Sequence, residues 1–211
     1  NTAVGMYALR NTTTGLCNTA VGSRSLASNT YGFSNTAVGL NSLLTNTIGG
    51  SNTALGAGSL RLNTTGNCNT AIGSSSLCNN TTGVSNTAVG LNSLRDNTGG
   101  CCNVAIGKNS SFFTTTGTNN TAIGTNSLYA TTIGQCNTAV GNGSVCGNTS
   151  GNSNTGVGVN ALRFNTTGGY NVAVGQGALC SSNTGTTSTT ANVAVGGLAL
   201  GVTTTAIGNT V

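Results

Sequence analysis

The sequence of 211 residues contains no proline, tryptophan or histidine and a single acidic residue, Asp96. Without histidine or a second carboxylate there is no Ser–His–Asp arrangement, no paired acid and base, and no usual zinc or calcium ligand set. A cysteine-only metal site is all that remains, so neither an enzyme nor a bound cofactor is expected. Charge is equally scarce: Arg10, Arg24, Arg61, Arg95, Lys108 and Arg163 stand against Asp96, a net charge of +5 spread along the whole chain. Nucleic-acid binding draws on clustered Lys/Arg interleaved with stacking aromatics, and neither is present. Long apolar runs are missing too. The longest, around Val193 to Val202, is about half of the roughly 20 residues that span a bilayer. No signal peptide or initiator Met is visible, which suits a processed product or a section of a longer protein.

What the chain has instead is a repeat. Asn-Thr-Ala-Val-Gly or a close variant begins at Asn1, Asn18, Asn35, Asn52, Asn69, Asn86, Asn103, Asn120, Asn137, Asn154 and Asn171, 17 residues apart each time. A short fixed period means one supersecondary unit stacked on copies of itself. The consensus coil is Asn-Thr-Ala-Val-Gly-x-x-Ser-Leu-x-x-Asn-Thr-Thr-Gly-x-x. Seventeen residues are too few for two packed helices, and the Asn-Thr-Thr-Gly punctuation breaks helices. The expected fold is therefore all-β: a parallel β-solenoid, or β-roll, of 17-residue coils with two short strands each. At roughly 4.8 Å per parallel strand, eleven coils would form a rod of about 50 Å.

Side chains alternate across a strand, so Thr2 and Val4 share one face and Ala3 takes the other. The second position becomes Val at Val104, Val172 and Val193, which reads as an inward Thr/Val and Val/Ile pair. Ala3 and its equivalents then lie outward, packed on another chain or simply solvated. A second apolar stripe is the ninth position, Leu in every regular coil except at Ser111, beside Phe112, and at Val145. Gly5, Gly15 and their equivalents read as corners that need positive φ or close backbone approach. Stacking also aligns Asn1, Asn18, Asn35 and their successors into amide ladders, a structural role.

At the level of motif, Asn-Val-Ala-Ile-Gly at residues 103–107 and the Asn-Thr-Ala-Val-Gly series resemble the head repeats of trimeric autotransporter adhesins of the YadA type. The longer unit, with Ser-Leu and Asn-Thr-Thr-Gly, is similar to repeats of phage-type tail-fibre and related surface-fibre proteins. The resemblance covers residues 1 to about 187. It implies a left-handed parallel β-roll, often trimeric, used as an extracellular fibre or adhesive head. The repeat here is longer than the head repeat of those adhesins, and no neck, stalk or membrane anchor is recognisable.

Regularity fails after Asn171, which divides the chain into a regular solenoid, 1–187, and irregular terminal coils, 188–211, that act as a cap or as a joint for the next subunit. Coil 1 begins as a full core strand, which suits either end-to-end stacking or a fragment.

Cysteines fall in two columns, position 17 (Cys17, Cys68, Cys102, Cys136) and position 10 (Cys78, Cys146, Cys180), with Cys101 apart. Two coils within a column are about 9.6 Å apart, beyond disulfide reach. The recurring offset suggests the pairs Cys68–Cys78 and Cys136–Cys146. It leaves Cys17, Cys101, Cys102 and Cys180 for bonds between subunits; the alternative is free thiols acting as small apolar fillers. An even cysteine count on a polar chain fits an oxidising compartment. Asn-x-Ser/Thr sequons occur at Asn11, Asn63, Asn79, Asn80, Asn109, Asn119, Asn142, Asn148 and Asn165, and several sit at the Asn-Thr-Thr-Gly corner, where an exposed side chain could carry a glycan. Sugar would also keep so uncharged a chain dispersed.

The expected function is accordingly a structural subunit of an extracellular fibre or filament at a cell or virion surface, glycosylated, with copies of itself as partners end to end or as a trimer, and without a membrane span or nucleic acid. The alternatives are an adhesin head binding glycan or matrix, although Tyr7, Tyr31, Tyr129 and Tyr170 fall in different columns, and an ice-binding solenoid. The latter needs an outward Thr in nearly every coil; at the Asn-Thr-Thr corner Tyr31, Ile48, Gly99 and Ile133 interrupt the last position.

Overall fold

A computed structural model describes residues 1–180 and 191–201. The chain is an all-β parallel solenoid, and no helix occurs among the described residues. It divides into two compact units, Asn1–Asn103 and Val104–Val211. The first holds β1 (Thr2–Val4), β2 (Thr19–Val21), β3 (Thr36–Val38), β4 (Thr53–Leu55), β5 (Thr70–Ile72) and β6 (Thr87–Val89). Each pairs parallel with the next, residue for residue at the 17-residue interval, as in Thr2↔Thr19 and Ala3↔Ala20. The second unit repeats the pattern with β7 (Val104–Ile106), β8 (Thr121–Ile123), β9 (Thr138–Val140), β10 (Thr155–Val157), β11 (Val172–Val174) and β12 (Val193–Val195). β12 thus continues the sheet into the stretch expected to be irregular. Residues 181–190, which precede it, and residues 202–211 lie outside the described residues.

Each coil contains one strand rather than the expected two. The Leu stripe, where the second strand was expected, has left-handed backbone: φ lies between 47° and 52° from Leu9 through Leu179, including Ser111 and Val145. Left-handed backbone disfavours a residue with a Cβ by about 1–2 kcal/mol. Leu26, Leu43, Leu60, Leu77, Leu94, Leu128, Leu162 and Leu179 offset this by complete burial, at about 1.5–3 kcal/mol each. The turn still joins coil to coil through its backbone, as where the Leu26 N–H donates to the Ser42 carbonyl at 3.0 Å.

The facing of the strand is also the reverse of the expectation. Ala20, Ala37, Ala54 and their equivalents are fully buried, whereas the flanking Thr and Val/Leu/Ile are half-buried or exposed. Parity is the reason. Asn at position 1 and Ala at position 3 share a face, and the Asn amide must be inside to satisfy the backbone it bonds. The strand position that then faces the Leu turn is small throughout, Ala or, at Gly156, glycine.

Two amide ladders fill that interior. The Asn18 carboxamide oxygen accepts the Asn35 backbone N–H at 2.9 Å and the Asn35 Nδ2 at 3.1 Å, while the same Nδ2 donates to the Gly49 carbonyl at 2.8 Å. This pattern recurs through Asn52, Asn69, Asn86 and Asn103 in the first unit, and through Asn137, Asn154 and Asn171 in the second. The second ladder is position 12. Asn46 Nδ2 donates to Asn29 Oδ1 at 2.8 Å and to Gly49 O at 2.9 Å, so both ladders converge on one glycine carbonyl. A Cβ on Gly49 would sit 2.5 Å from both the Asn46 side chain and the Gly66 carbonyl, which fixes glycine at that corner. The Gly5 corner is glycine for conformation, with φ between 126° and 139° from Gly5 through Gly196.

Candidate functional site

With the interior taken up by Asn, Ala and Leu, any function other than holding the coil together falls to the outward columns. The broadest is the outer face of the strands. Thr36 and Thr53 are exposed there, and beside them stand Val4, Leu55, Ile72, Ile106, Ile123, Val157 and Val174, all among the exposed large hydrophobics. The face is uncharged and repeats in register. It adds a second outward Thr column to the one at the Asn-Thr-Thr corner, where Thr14, Thr82, Thr116 and Thr167 are exposed. The first Thr hydroxyl of the corner is spent internally, Thr30, Thr47, Thr64 and Thr81 each donating to a carbonyl of the next coil.

The nine sequons separate into three groups. Asn63, Asn80, Asn148 and Asn165 belong to the position-12 ladder and are fully buried. Their Nδ2 atoms donate to Gly66, Gly83, Gly151 and Gly168 carbonyls. That nitrogen is the atom a glycan would occupy, so the expected corner glycans have no place at these four positions in the folded coil. Asn79 and Asn109 are half-buried, with Nδ2 bonded to Asp96 Oδ1 at 2.9 Å and to Asn126 Oδ1 at 3.3 Å. Asn11, Asn119 and Asn142 are exposed.

All eight cysteines are free thiols, so the expected Cys68–Cys78 and Cys136–Cys146 bridges are not formed. The two columns lie in different surroundings. Cys17, Cys68, Cys102 and Cys136 are exposed, at left-handed turns entering the strand, whereas Cys78 is buried with its sulfur 3.5 Å from Arg61 Nε. Cys101, Cys146 and Cys180 are half-buried. Burial, and then the neighbouring Cys102, pushes the Cys101 thiol above its ordinary value. Burial also raises Cys146, opposed in part by the Arg163 guanidinium.

The structure brings together one group that sequence reading left scattered. Phe112 and Tyr129 occupy position 10 of successive coils and stack at 5.4 Å between centroids, and Phe113 meets both edge-on at 4.7 and 5.2 Å. The signal was available: positions 10 and 11 of one coil lie beside position 10 of the next, and all three residues are aromatic. Three of the arginines find further local partners. Arg95 pairs with Asp96 at 3.2 Å, and Arg10 and Arg163 lie over the rings of Tyr7 and Phe164. No group of three or more potential metal ligands occurs among the described residues, and no helix there is long and apolar enough to cross a membrane.

No family model, curated protein or solved structure matches the chain. The functional reading therefore rests on its own residues.

Proposed function

We propose that this chain is a structural subunit of an extracellular fibre or filament on a cell or virion surface, assembled from stacked β-solenoids and carrying glycans on its exposed sequons. The observation that supports this most directly is the outer strand face. In each unit it offers an uncharged, regular column of Val, Leu and Ile that nothing in the chain covers among the described residues. Extended apolar surface of this kind is costly unless another surface buries it. A second copy of the same chain, with the same spacing, is the natural complement, and the resemblance to trimeric adhesin heads points to three copies. In-register stacking supplies the axial strength, and glycans at Asn11, Asn119 and Asn142 would supply the solubility that seven charged side chains do not.

Cryo-electron microscopy of the native material tests this reading. Filaments or trimers whose strand faces are apposed would support it. Isolated single chains with the strand face in solvent would sink it.

An adhesin head is the second reading, favoured by the Phe112–Phe113–Tyr129 cluster, since stacked aromatics are a common platform for sugar rings. A glycan array comparing the wild-type chain with Phe113→Ala checks it; unchanged or absent glycan binding would dismiss that platform.

A further inference from the structure

The first two coils contain a concentration of positive charge that the chain itself does not neutralise. Tyr7 and Arg24 occupy position 7 of successive coils, and the Arg24 N–H donates to the Met6 carbonyl at 2.8 Å, which fixes the two in register. Arg10 and Asn11 follow on the adjoining edge of the first coil, with Ser28 beneath Asn11 at position 11 of the second. Between these edges lies an open groove of about 320 Å3, lined by Tyr7, Arg10, Asn11, Arg24 and Ser28, with Leu44 contributing an apolar wall. That volume is at the lower end of small-molecule sites, about the size of a sugar unit.

The electrostatics of the groove are unusual for this chain. Its only acidic side chain, Asp96, is held elsewhere, against Arg95 at 3.2 Å and Asn79 at 2.9 Å. No carboxylate side chain is therefore left for Arg10 or Arg24. Arg10 is also held in place, its guanidinium 5.1 Å from the Tyr7 ring centroid, a contact that restrains the fork while leaving its N–H groups free to donate. Two forked guanidinia, a carboxamide and a hydroxyl around one cavity form a donor-rich set with no built-in anion. Planar carboxylates and tetrahedral sulfates or phosphates are the groups that such forks bind bidentately.

We propose that this groove is a binding site for an oxyanion, carried on an acidic sugar or taken up as the free ion. The Tyr7 ring and Leu44 supply an apolar surface for a sugar ring, and Arg10 and Arg24 clamp its sulfate or carboxylate. The site lies within one chain and is measured on one chain made without N-glycans, because a glycan on Asn11 would enter the groove that Asn11 lines.

Isothermal titration at low ionic strength, with sulfated heparin hexasaccharide, sodium sulfate and neutral maltohexaose as probes, tests the proposal. The sulfated hexasaccharide is expected to bind and maltohexaose to give no heat. Arg10→Gln and Arg24→Gln should each weaken binding tenfold or more, and both side chains are exposed, so folding measured by circular dichroism should be unchanged. Arg163→Gln, in the other unit, should alter binding less than twofold. Competition by millimolar sodium sulfate would identify the free ion as sufficient, whereas hexasaccharide binding without such competition would identify the sugar as part of the ligand; both outcomes support the site. Unchanged binding in Arg10→Gln and Arg24→Gln, or an equal loss in Arg163→Gln, would overturn it in favour of diffuse charge attraction.

Discussion

Gly156 faces Val145 across the interior of the second unit, and the two residues depart from the repeat together. Val145 replaces the Leu of its column, and Gly156, in β10, replaces the Ala of the strand. A Cβ at Gly156 would lie 2.6 Å from Val145 Cγ2 and 2.7 Å from Ser144 Oγ. A side chain branched at Cβ brings a methyl closer to its own backbone than Leu does, so the strand gives up its methyl. Gly156→Ala alone should destabilise the protein by about 1–3 kcal/mol through overpacking. Val145→Leu with Gly156→Ala restores the repeat's own pair and should be at least as stable as wild type. Urea denaturation of both variants measures this, and equal losses in the two would show that the residues are not coupled.

The position-12 ladder begins only at Asn29, after Thr12, and has a gap. Thr114 and Thr131, like Thr12 in the first coil, stand where the coils from Asn29 to Asn97 and at Asn148 and Asn165 have Asn, and their buried hydroxyls have no hydrogen-bond partner. Thr131→Asn would place a carboxamide oxygen within the reach of Asn148 Nδ2 and a donor toward the Gly134 carbonyl. A gain of about 0.5–1.5 kcal/mol per bond formed is expected, read as a higher denaturation midpoint. Conversely, Asn52→Ala removes the acceptor of the Asn69 backbone N–H, bonded at 3.0 Å. Leaving that buried donor unpaired should cost about 1–3 kcal/mol.

Glycan occupancy should follow the burial of each Asn. Peptide mapping after enzymatic deglycosylation in heavy-oxygen water is expected to find modified sites only among Asn11, Asn119 and Asn142, with Asn79 and Asn109 poor acceptors. Occupancy at Asn63, Asn80, Asn148 or Asn165 would contradict the ladder, because each Nδ2 is already committed inside the coil.

Thiol labelling should divide the cysteines in the same way. Cys17, Cys68, Cys102 and Cys136 should react with iodoacetamide first and Cys78 last, and non-reducing mass spectrometry should detect no Cys68–Cys78 peptide. Because burial raises the Cys146 thiol despite Arg163, its alkylation rate should still be climbing at alkaline pH where an ordinary thiol has levelled off. The sign for stability follows: the folded chain holds this proton more tightly than the unfolded one, so stability declines as pH rises through the alkaline range.

Charge on the strand face should disrupt assembly without unfolding the coil. Leu55→Lys and Ile123→Lys point outward from β4 and β8, so melting of the single chain should move by less than about 0.5 kcal/mol. Under the fibre reading both variants should sediment as smaller species than wild type. Wild-type and variant chains of equal size would argue against lateral packing on this face.

Much of the coil was legible in the residues. The 17-residue interval gave the parallel register, the invariant Asn at position 1 gave an amide ladder, and Gly5 and Gly15 marked the corners. Each follows from a property that one residue type has and its substitutes lack: a carboxamide that both donates and accepts, or a backbone free of Cβ. The second ladder at Asn29, Asn46 and Asn63 was hidden because the same Asn-Thr letters also spell a turn and, where a second Thr follows as at Asn63, a sequon.

The sequence by itself determined the repeat, its register and the absence of the acid–base pairs that most catalysis uses, because these depend only on composition and spacing. The tertiary structure alone decided which way each column faces. Alternation tells which residues share a side of a strand and says nothing of which side is inside. Closure of the coil settled it: the backbone groups that Asn must satisfy lie within, and the strand position facing the Leu turn carries only Ala or Gly. Hence the larger strand residues of Thr-Ala-Val became the outer surface, and the Leu column became a left-handed buried turn.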